Sequence, residues 1–315
     1  MTETEYIKDL KTNGFSKIEQ LFSSEDILKL KSKSYKILDD AEEINFDHKL
    51  LRSEALNPYV NIYRNNLRVR NFFNQKLRNC LGVDKEIDLL MSKFFSNDKI
   101  NNILNYFFIH PKIHGCTIRM ADKSSDWLGV HSDSDTTISM SILLEDTNKK
   151  DSTTTFIKGS HLYKYPVKNK IERLNPNIFS NLFSYTTGKA GDVGIFFNRT
   201  AHGVVKQKIA NHGRKNTVIL LGFHCDHDIK HRNLLFPETT LYGKNINALS
   251  DNLLKFFETK KDLRESRIGK NQSQSEIKKI NSTRKLNFRE YLIYVYLRAV
   301  AIVISILKKV KSIAN

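Results

Sequence analysis

The chain contains few cysteines, and this shortage excludes one class of small secreted protein. Only three cysteines occur in 315 residues, Cys80, Cys116 and Cys225, and no two of them form a Cys-x-x-Cys pair. A disulfide framework needs a denser, paired set, so we expect buried or free thiols in a reducing compartment. The first residues are acidic and polar, without the features of a secretory signal. The expected location is therefore the cytoplasm, or the cytoplasmic face of a membrane.

Glycine-rich catalytic motifs are also lacking. The sequence has no phosphate-binding P-loop, no dinucleotide-binding glycine fingerprint and no Gly-x-Ser-x-Gly elbow. These absences argue against the nucleotide-dependent enzymes and serine hydrolases that rely on such loops. Internal repeats are missing as well, which argues against a solenoid. The length suits one large domain, or a domain with appendages, and is sufficient to bury a core.

Acidic residues are outnumbered, most strongly towards the C-terminal end. The chain holds 51 Lys and Arg against 34 Asp and Glu, which gives a formal net charge of +17. Residues 257–315 contain 14 of these cations and only 5 of the acids. Such a segment can contact nucleic acid or an anionic membrane. Because no aromatic-interleaved basic face accompanies it, specific binding to nucleic acid is not expected.

An apolar run inside this basic segment has three interpretations. Residues 291–307 are apolar except for Arg298 and Ser305, and three lysines follow. As a helix the run measures roughly 26 Å, short for a bilayer core of about 30 Å, and Arg298 at its middle would cost about 3 kcal/mol there. The pattern favours a helix lying on an anionic membrane surface. A helix buried against the domain or in a homodimer seam, and a spanning anchor, are the alternatives.

Two kinds of apolar periodicity divide the rest of the chain. Before about residue 110 the spacing is mostly helical, and one helix is predicted to begin at Ser24, a capping residue with an acidic first turn. After it, short alternating runs predict strands. We therefore predict a mainly β fold with flanking helices. Its parts are an N-terminal helical layer (1–110), a double-stranded β-helix core of the jelly-roll or cupin type (111–230), a basic polar connector (231–283) and a C-terminal helix (284–315).

His131 and Asp133 form the motif that says most about function. In an extended strand, residues i and i+2 point to the same face, so both side chains can converge on one metal ion while Ser132 points away. His202 would complete the set from a distant strand. Two imidazoles and one carboxylate suit Fe(II) with positions left open for a cosubstrate and O2. Arg214 adds a guanidinium fork that matches a carboxylate, so the set predicts a metal with an anionic cosubstrate.

The segments around these residues resemble the phytanoyl-CoA dioxygenase family of Fe(II)/2-oxoglutarate oxygenases. The resemblance covers residues from about 112 to 225. It includes the Gly-Ser-His turn at 159–161, the Ala-Gly-Asp step at 190–192 and the run 199–203 that contains the distal histidine. The strands and turns between these motifs also follow the family's order.

This resemblance implies a cofactor, a cosubstrate and a reaction. His131, Asp133 and His202 would hold Fe(II), and Arg214 would pair with the distal carboxylate of 2-oxoglutarate. Halogenating relatives lack the carboxylate ligand, so Asp133 favours hydroxylation with release of succinate and CO2. The implied substrate is a small or lipid-linked metabolite. The alternative is a jelly roll that binds a carbohydrate or lipid without catalysis while tethered to a membrane surface.

Two positions depart from the family's pattern. Asp151-Ser152 replaces a frequent Asn-Gly turn, and Val204 stands where many relatives carry a small hydroxyl that helps to hold the 2-oxoglutarate carboxylate. Thr117, on the strand that enters the core, is our candidate for the missing contact. An ordinary β-branched strand residue is the alternative interpretation of Thr117.

Three further residues are candidates for substrate contact. Arg119 could meet an anionic substrate, or it could be a solvated cation at a strand edge. Trp127, the only tryptophan, could wall the pocket or fill the core. His161 could line the pocket or hydrogen-bond within its own turn. The histidines and aspartates at 224–231 are interpreted as an exposed polar turn in preference to a second metal site.

Overall fold

The computed structural model describes most of the predicted core together with parts of both flanking regions. The described residues are 4–42, 75–77, 80–81, 84–108, 111–121, 127–133, 137–162, 174–206, 216–225, 253, 255–256 and 285–314. Arg214 lies outside them, as does nearly all of the predicted connector at 231–283. At His224 and Cys225 the backbone is described but the side chain is not.

The described residues form five α-helices and ten strands. The helices are α1 (Glu5–Asn13), α2 (Ser24–Glu42), α3 (Lys85–Ser96), α4 (Asp98–Phe107) and α5 (Phe288–Ala314). The strands are β1 (Phe15–Ile18), β2 (Gln75–Leu77), β3 (Pro111–Ala121), β4 (Leu128–His131), β5 (Ile138–Leu143), β6 (Thr154–Phe156), β7 (Ser184–Tyr185), β8 (Val193–Phe197), β9 (His202–Val204) and β10 (Asn216–Cys225). α2 begins at Ser24, where a helix was predicted, but its capping residue is Ser23, whose Oγ accepts a hydrogen bond of 3.1 Å from the N–H of Asp26.

Two antiparallel sheets form the core. The larger sheet has the order β1-β8-β5-β10-β3-β2 and the smaller one β4-β9-β6-β7, and every neighbouring pair is antiparallel. This arrangement confirms the predicted fold class, a mainly β protein with a double-layered core and flanking helices. The helical periodicity before residue 110 did not predict β1, which adds an edge strand to β8.

The larger sheet has two faces of different chemistry, because successive side chains alternate along each strand. On one face Ile118, Ile219 and Phe197 are buried in an apolar cluster with residues of α1 to α4. The opposite face carries Thr117 and Phe196 and is turned towards the smaller sheet. The helices therefore cover the outside of the barrel, and the inner face, here called the lumen, is left for a site.

The helix α5 covers the outside of the smaller sheet. Asn287 and Glu290 close its first turn with reciprocal hydrogen bonds of 2.9 and 3.0 Å between the backbone N–H of each residue and the side chain of the other. Leu297 is fully buried in a second apolar cluster that includes Val130 and Ala201. One side of α5, its inner face, therefore packs against the domain, as one of the three interpretations of residues 291–307 predicted. Among the residues that the structure describes, no helix is long and apolar enough to cross a membrane.

Two of the three cysteines, far apart in sequence, are neighbours in the fold. Cys80 and Cys116 are buried free thiols whose sulfur atoms lie 3.2 Å apart. The N–H of Cys80 also donates to the carbonyl oxygen of Cys116 at 3.0 Å. Both thiols are buried, as the composition predicted, but only the fold brings them together.

Candidate metal centre

The pairing of two short strands places the two histidines side by side. β4 ends at His131, β9 begins at His202, and these two residues are direct partners in the antiparallel register. Cross-strand partners project from the same face of a sheet, and the two imidazole rings accordingly lie 4.4 Å apart between centroids. The register of the smaller sheet thus joins two residues that are separated by about seventy positions in sequence.

Asp133 reaches the histidines from a loop, whereas the sequence pattern placed it on an extended strand. β4 ends at His131, and the N–H of Asp133 donates to the carbonyl oxygen of Asn198 at 2.8 Å. Asn198 belongs to the turn between β8 and β9, and its own N–H donates to Thr137 at 3.0 Å. The carboxylate is therefore positioned by backbone hydrogen bonds between loops.

The three side chains converge on a common point. Oδ1 of Asp133 lies 3.8 Å from Nε2 of His131, and Oδ2 lies 3.5 Å from Nε2 of His202. One ligand atom from each residue falls within 4.8 Å of the others. Two imidazole nitrogens and one carboxylate oxygen at these separations fit a single divalent transition metal, with coordination positions to spare.

Both histidines are oriented by carbonyl groups two residues before them. Nδ1 of His131 lies 2.8 Å from the carbonyl oxygen of Gly129, and Nδ1 of His202 lies 2.7 Å from that of Thr200. A carbonyl oxygen only accepts, so each Nδ1 carries a proton, and Nε2, which faces Asp133, is the ring atom left to bind a metal. Such a partner on the far nitrogen is the usual support of a metal-binding histidine.

The electrostatics of the cluster also favour metal binding. Burial, followed by the proximity of His202, lowers the pKa of His131 to about 4. Partial loss of hydration beside the two imidazoles acts to raise the pKa of the Asp133 carboxyl, but the hydrogen bond and the charge of His202 outweigh it and hold this pKa well below its usual range. At neutral pH the site therefore offers a neutral imidazole and an ionised carboxylate, the protonation states that a metal ion requires.

Thr117 and Arg119 project from the same face of β3 as predicted, and this face lines the lumen. Thr117 pairs with Leu220, which pairs in turn with Ser141 of β5. Thr117 is buried. The charge of Arg119 contributes to lowering the pKa of both His131 and Asp133. A cation is therefore close enough to the candidate metal centre to act on it electrostatically.

His161 is not part of this cluster. Its ring packs on Phe197 at 5.4 Å, whereas His202 packs on Phe196 at 5.1 Å. Adjacent residues of a strand point to opposite faces, so the two histidines lie on opposite sides of β8. Nε2 of His161 lies 2.8 Å from the carbonyl oxygen of Lys11. His161 therefore links α1 to the barrel, which differs from both predicted roles, a pocket residue and a hydrogen bond within its own turn.

Several groups that build the site could not be predicted from the sequence. Phe156 and Phe196 pack 5.1 Å apart beside His202 and close one side of the lumen. The supporting groups of Gly129, Thr200 and Asn198 are backbone carbonyls, for which no side-chain pattern exists. Trp127 lies partly buried immediately before β4. The predicted polar turn at 224–231 has no described side chain.

Several solved structures have a similar fold. HygX from Streptomyces hygroscopicus, with nickel and 2-oxoglutarate bound, has 12% identity and a TM-score of 0.51 over 71% of this chain and 88% of its own. SnoN, a non-heme α-ketoglutarate-dependent epimerase from nogalamycin biosynthesis, has 11% identity and a TM-score of 0.47 over 70% of this chain and 81% of its own. AviO1 from Streptomyces viridochromogenes has 14% identity and a TM-score of 0.46, over 71% and 96% respectively. The likeness to HygX supports the fold, and HygX binds a metal together with the predicted cosubstrate.

The sequence comparisons identify the family. No curated protein sequence matches the chain at a significant level. The family model described as phytanoyl-CoA dioxygenase (PhyH) matches residues 10–204. This range covers more than half of the 315 residues and contains β1, the metal cluster and both sheets up to β9. It agrees with the resemblance seen in the motifs, and the chain therefore belongs to the phytanoyl-CoA dioxygenase family.

Proposed function

We propose that the protein is an Fe(II)- and 2-oxoglutarate-dependent dioxygenase that hydroxylates a small or lipid-linked metabolite. The observation that carries this proposal is the convergence of His131, Asp133 and His202, with the Nε2 atom of each imidazole directed at the carboxylate. The family of the chain and the ligand types agree with it. The same three residues would be the metal ligands.

His131, Asp133 and His202 would hold the metal. Two imidazoles and a carboxylate would fill part of its coordination shell and would leave the rest for the keto acid and for O2. When bound, Fe(II) supplies the activation of O2 and the oxidative decarboxylation of 2-oxoglutarate to succinate and CO2. The side chain of Asp133 is 49% exposed and that of His202 is 8% exposed. The exposed side is where we expect the cosubstrate and substrate to enter, and Asp133 favours hydroxylation, since halogenating relatives lack this carboxylate.

We propose that one arginine binds 2-oxoglutarate and that another binds the substrate. Arg214, outside the described residues, would pair with the distal carboxylate of 2-oxoglutarate through its guanidinium fork. The hydroxyl of Thr117, on the lumen face of β3, would donate a hydrogen bond to the same cosubstrate. Arg119, on that face and close enough to influence the metal cluster, would meet an anionic group of the substrate.

Release of succinate from 2-oxoglutarate without added substrate tests this function. Iron-loaded protein should convert 2-oxoglutarate slowly to succinate under O2, and His202→Ala should abolish the conversion. A non-catalytic module for a carbohydrate or lipid, the alternative, would bind its ligand and form no succinate. Succinate formation at the same rate by both proteins would mean that the triad is not the catalytic site.

A further inference from the structure

The helix α5 has two apolar faces, and only one of them is used within the domain. Its inner face buries Leu297 and packs Ile293, Val300 and Ile304 against the smaller sheet. Ten other apolar side chains of α5 are between 42% and 77% exposed. These residues, here called the outer face, are Phe288, Tyr291, Leu292, Val295, Tyr296, Ile302, Val303, Ile306, Leu307 and Val310.

The outer face is one continuous stripe. At 3.6 residues per turn its ten residues fall within an arc of about 160°, centred opposite Leu297. A surface helix of a globular protein normally carries polar residues on the side away from the core. An exposed apolar area that runs the length of a 27-residue helix indicates a binding surface.

Only cations accompany this stripe. Arg289 and Arg298 are exposed, one on each flank of the stripe by helical position. Residues 285–315 contain six Lys and Arg and a single acid, Glu290. Glu290 is buried, and its carboxylate caps the first turn through the N–H of Asn287. The outer face therefore combines exposed apolar area with positive charge, and residues 285–314, as the structure describes them, present no exposed acid beside it.

A cleft extends this surface on one side. It has a volume of about 460 Å³ and lies between α5 and the loop at 178–182. Both walls are mainly apolar: Ile178, Phe179 and Leu182 lie on the loop together with the polar Asn181, and Leu292, Ile293 and Tyr296 lie on the helix. Ile178 is itself 71% exposed. A cleft of this volume and polarity is sufficient for part of an acyl chain.

We propose that the outer face of α5 and the adjoining cleft bind the surface of an anionic lipid membrane. Cations flanking an apolar stripe, with tyrosines at one end, match the headgroup region and the acyl boundary beneath it. A second copy of the chain is a poorer occupant. A two-fold dimer would place the same surface against itself, and the cations of both copies would then repel one another.

The geometry gives this contact a consequence for the proposed site. Val130 packs on α5 from the outer side of β4, and His131, the next residue, points into the lumen. Only the thickness of the helix, about 10 Å, would separate the smaller sheet from the lipid headgroups. A membrane-bound enzyme of this form would act on substrates presented at that surface. The lipid contact itself does not depend on the proposed oxygenase activity.

Vesicle sedimentation with the full chain tests the proposal without iron or substrate. The native protein should sediment with vesicles containing about 30% phosphatidylserine, and much less with phosphatidylcholine alone. Binding should weaken as salt is raised from low to physiological strength, because exposed charges are then screened beyond about 8 Å. The double variant Val295→Glu, Ile306→Glu should lower the partition coefficient about tenfold or more, since it places two anions in the stripe.

The matched control replaces equally exposed apolar residues elsewhere. Leu28 on α2 and Leu89 on α3 are 66% and 62% exposed. The double variant Leu28→Glu, Leu89→Glu should sediment with anionic vesicles as the native protein does. Equal sedimentation of all three proteins, or equal binding to neutral and anionic vesicles, would overturn the proposal. A native dimer in the absence of lipid that the α5 variant dissociates would also overturn it, in favour of a second copy of the chain.

Discussion

The hydroxyl of Thr200 donates a hydrogen bond of 2.8 Å to the carbonyl oxygen of Gly14, and so ties the turn that precedes His202 to the end of α1. Gly14 has a positive φ of 87°, and a Cβ atom there would lie 2.5 Å from Oγ1 of Thr200 and 2.6 Å from Nδ1 of His161. The carbonyl of Thr200 in turn orients His202. The N-terminal helix therefore supports the candidate metal centre through two hydrogen bonds in sequence.

Replacing Thr200 by Val should weaken both stability and metal affinity. The side chain is fully buried, and loss of its hydrogen bond should reduce the free energy of unfolding by about 1 kcal/mol. A less firmly held His202 should lower metal affinity by up to about tenfold. Denaturant unfolding and metal titration measure the two effects. The control is Thr155→Val, since the buried hydroxyl of Thr155 has no hydrogen-bond partner among the described residues. A Thr200 variant as stable as this control would contradict the prediction.

Two histidine variants should separate metal binding from structural support. His202→Ala should abolish stoichiometric Fe(II) binding under anaerobic conditions, because one imidazole and one carboxylate remain. His161→Ala should keep one metal per chain but lose about 1–3 kcal/mol of stability, because its contact with the carbonyl of Lys11 is lost in a buried place. Metal analysis and thermal unfolding of both variants make the comparison. Full iron occupancy in His202→Ala would remove His202 from the ligand set.

The two arginines should respond differently to 2-oxoglutarate. Arg214→Ala should raise the KM for 2-oxoglutarate by tens-fold or more, since losing one partner of a charge-assisted pair costs about 2–5 kcal/mol. Arg119→Ala should leave that KM within about twofold, because we assign Arg119 to the substrate. The measurement is succinate formation at varied 2-oxoglutarate. If the larger effect follows Arg119→Ala, the two assignments must be exchanged.

Glu145 should make the folded protein less stable as pH rises, whereas an acid paired with a cation on the surface has the opposite effect. Burial raises the pKa of Glu145, although Tyr35 and the N–H of Thr217 donate to its carboxylate. The folded protein therefore binds the proton of Glu145 more tightly than the unfolded chain does. The free energy of unfolding falls as pH rises above the ordinary pKa of a glutamate, and this fall ends once the pH has passed the raised pKa of the folded state. The stability of Glu145→Gln relative to the native protein should increase over the same interval.

Thermal unfolding between pH 4.5 and 7.5 measures this difference, with Glu25→Gln on the surface of α2 as the control. Lys29 lowers the pKa of Glu25, so any effect there has the opposite sign, and full exposure keeps it small. Parallel pH profiles for the native protein and Glu145→Gln would contradict the prediction.

Much of the candidate site could be predicted from residue types and spacing. The His-x-Asp pair at 131–133 predicted a ligand set once the distal histidine and the family's surrounding turns were taken with it, because few side chains bind transition metals. Strand alternation also placed Thr117 and Arg119 on one face of β3. Alternation says which residues share a face, but not which face lines the lumen. For this reason the sequence did not decide whether Thr117 and His161 line the pocket. The packing of the sheets places Thr117 on the lumen face and His161 on the opposite side of β8.

The sequence by itself determined the fold class, the ligand types and the excess of positive charge near α5, because these depend on local periodicity and composition. The tertiary structure decided which residues meet. It brought Cys80 beside Cys116, set His131 against His202 and placed His161 on the far side of β8. It also decided which face of α5 is buried, since both faces are apolar in sequence. Backbone carbonyls orient the metal ligands, and their positions depend on strand register and loop closure, to which every residue type contributes the same backbone groups.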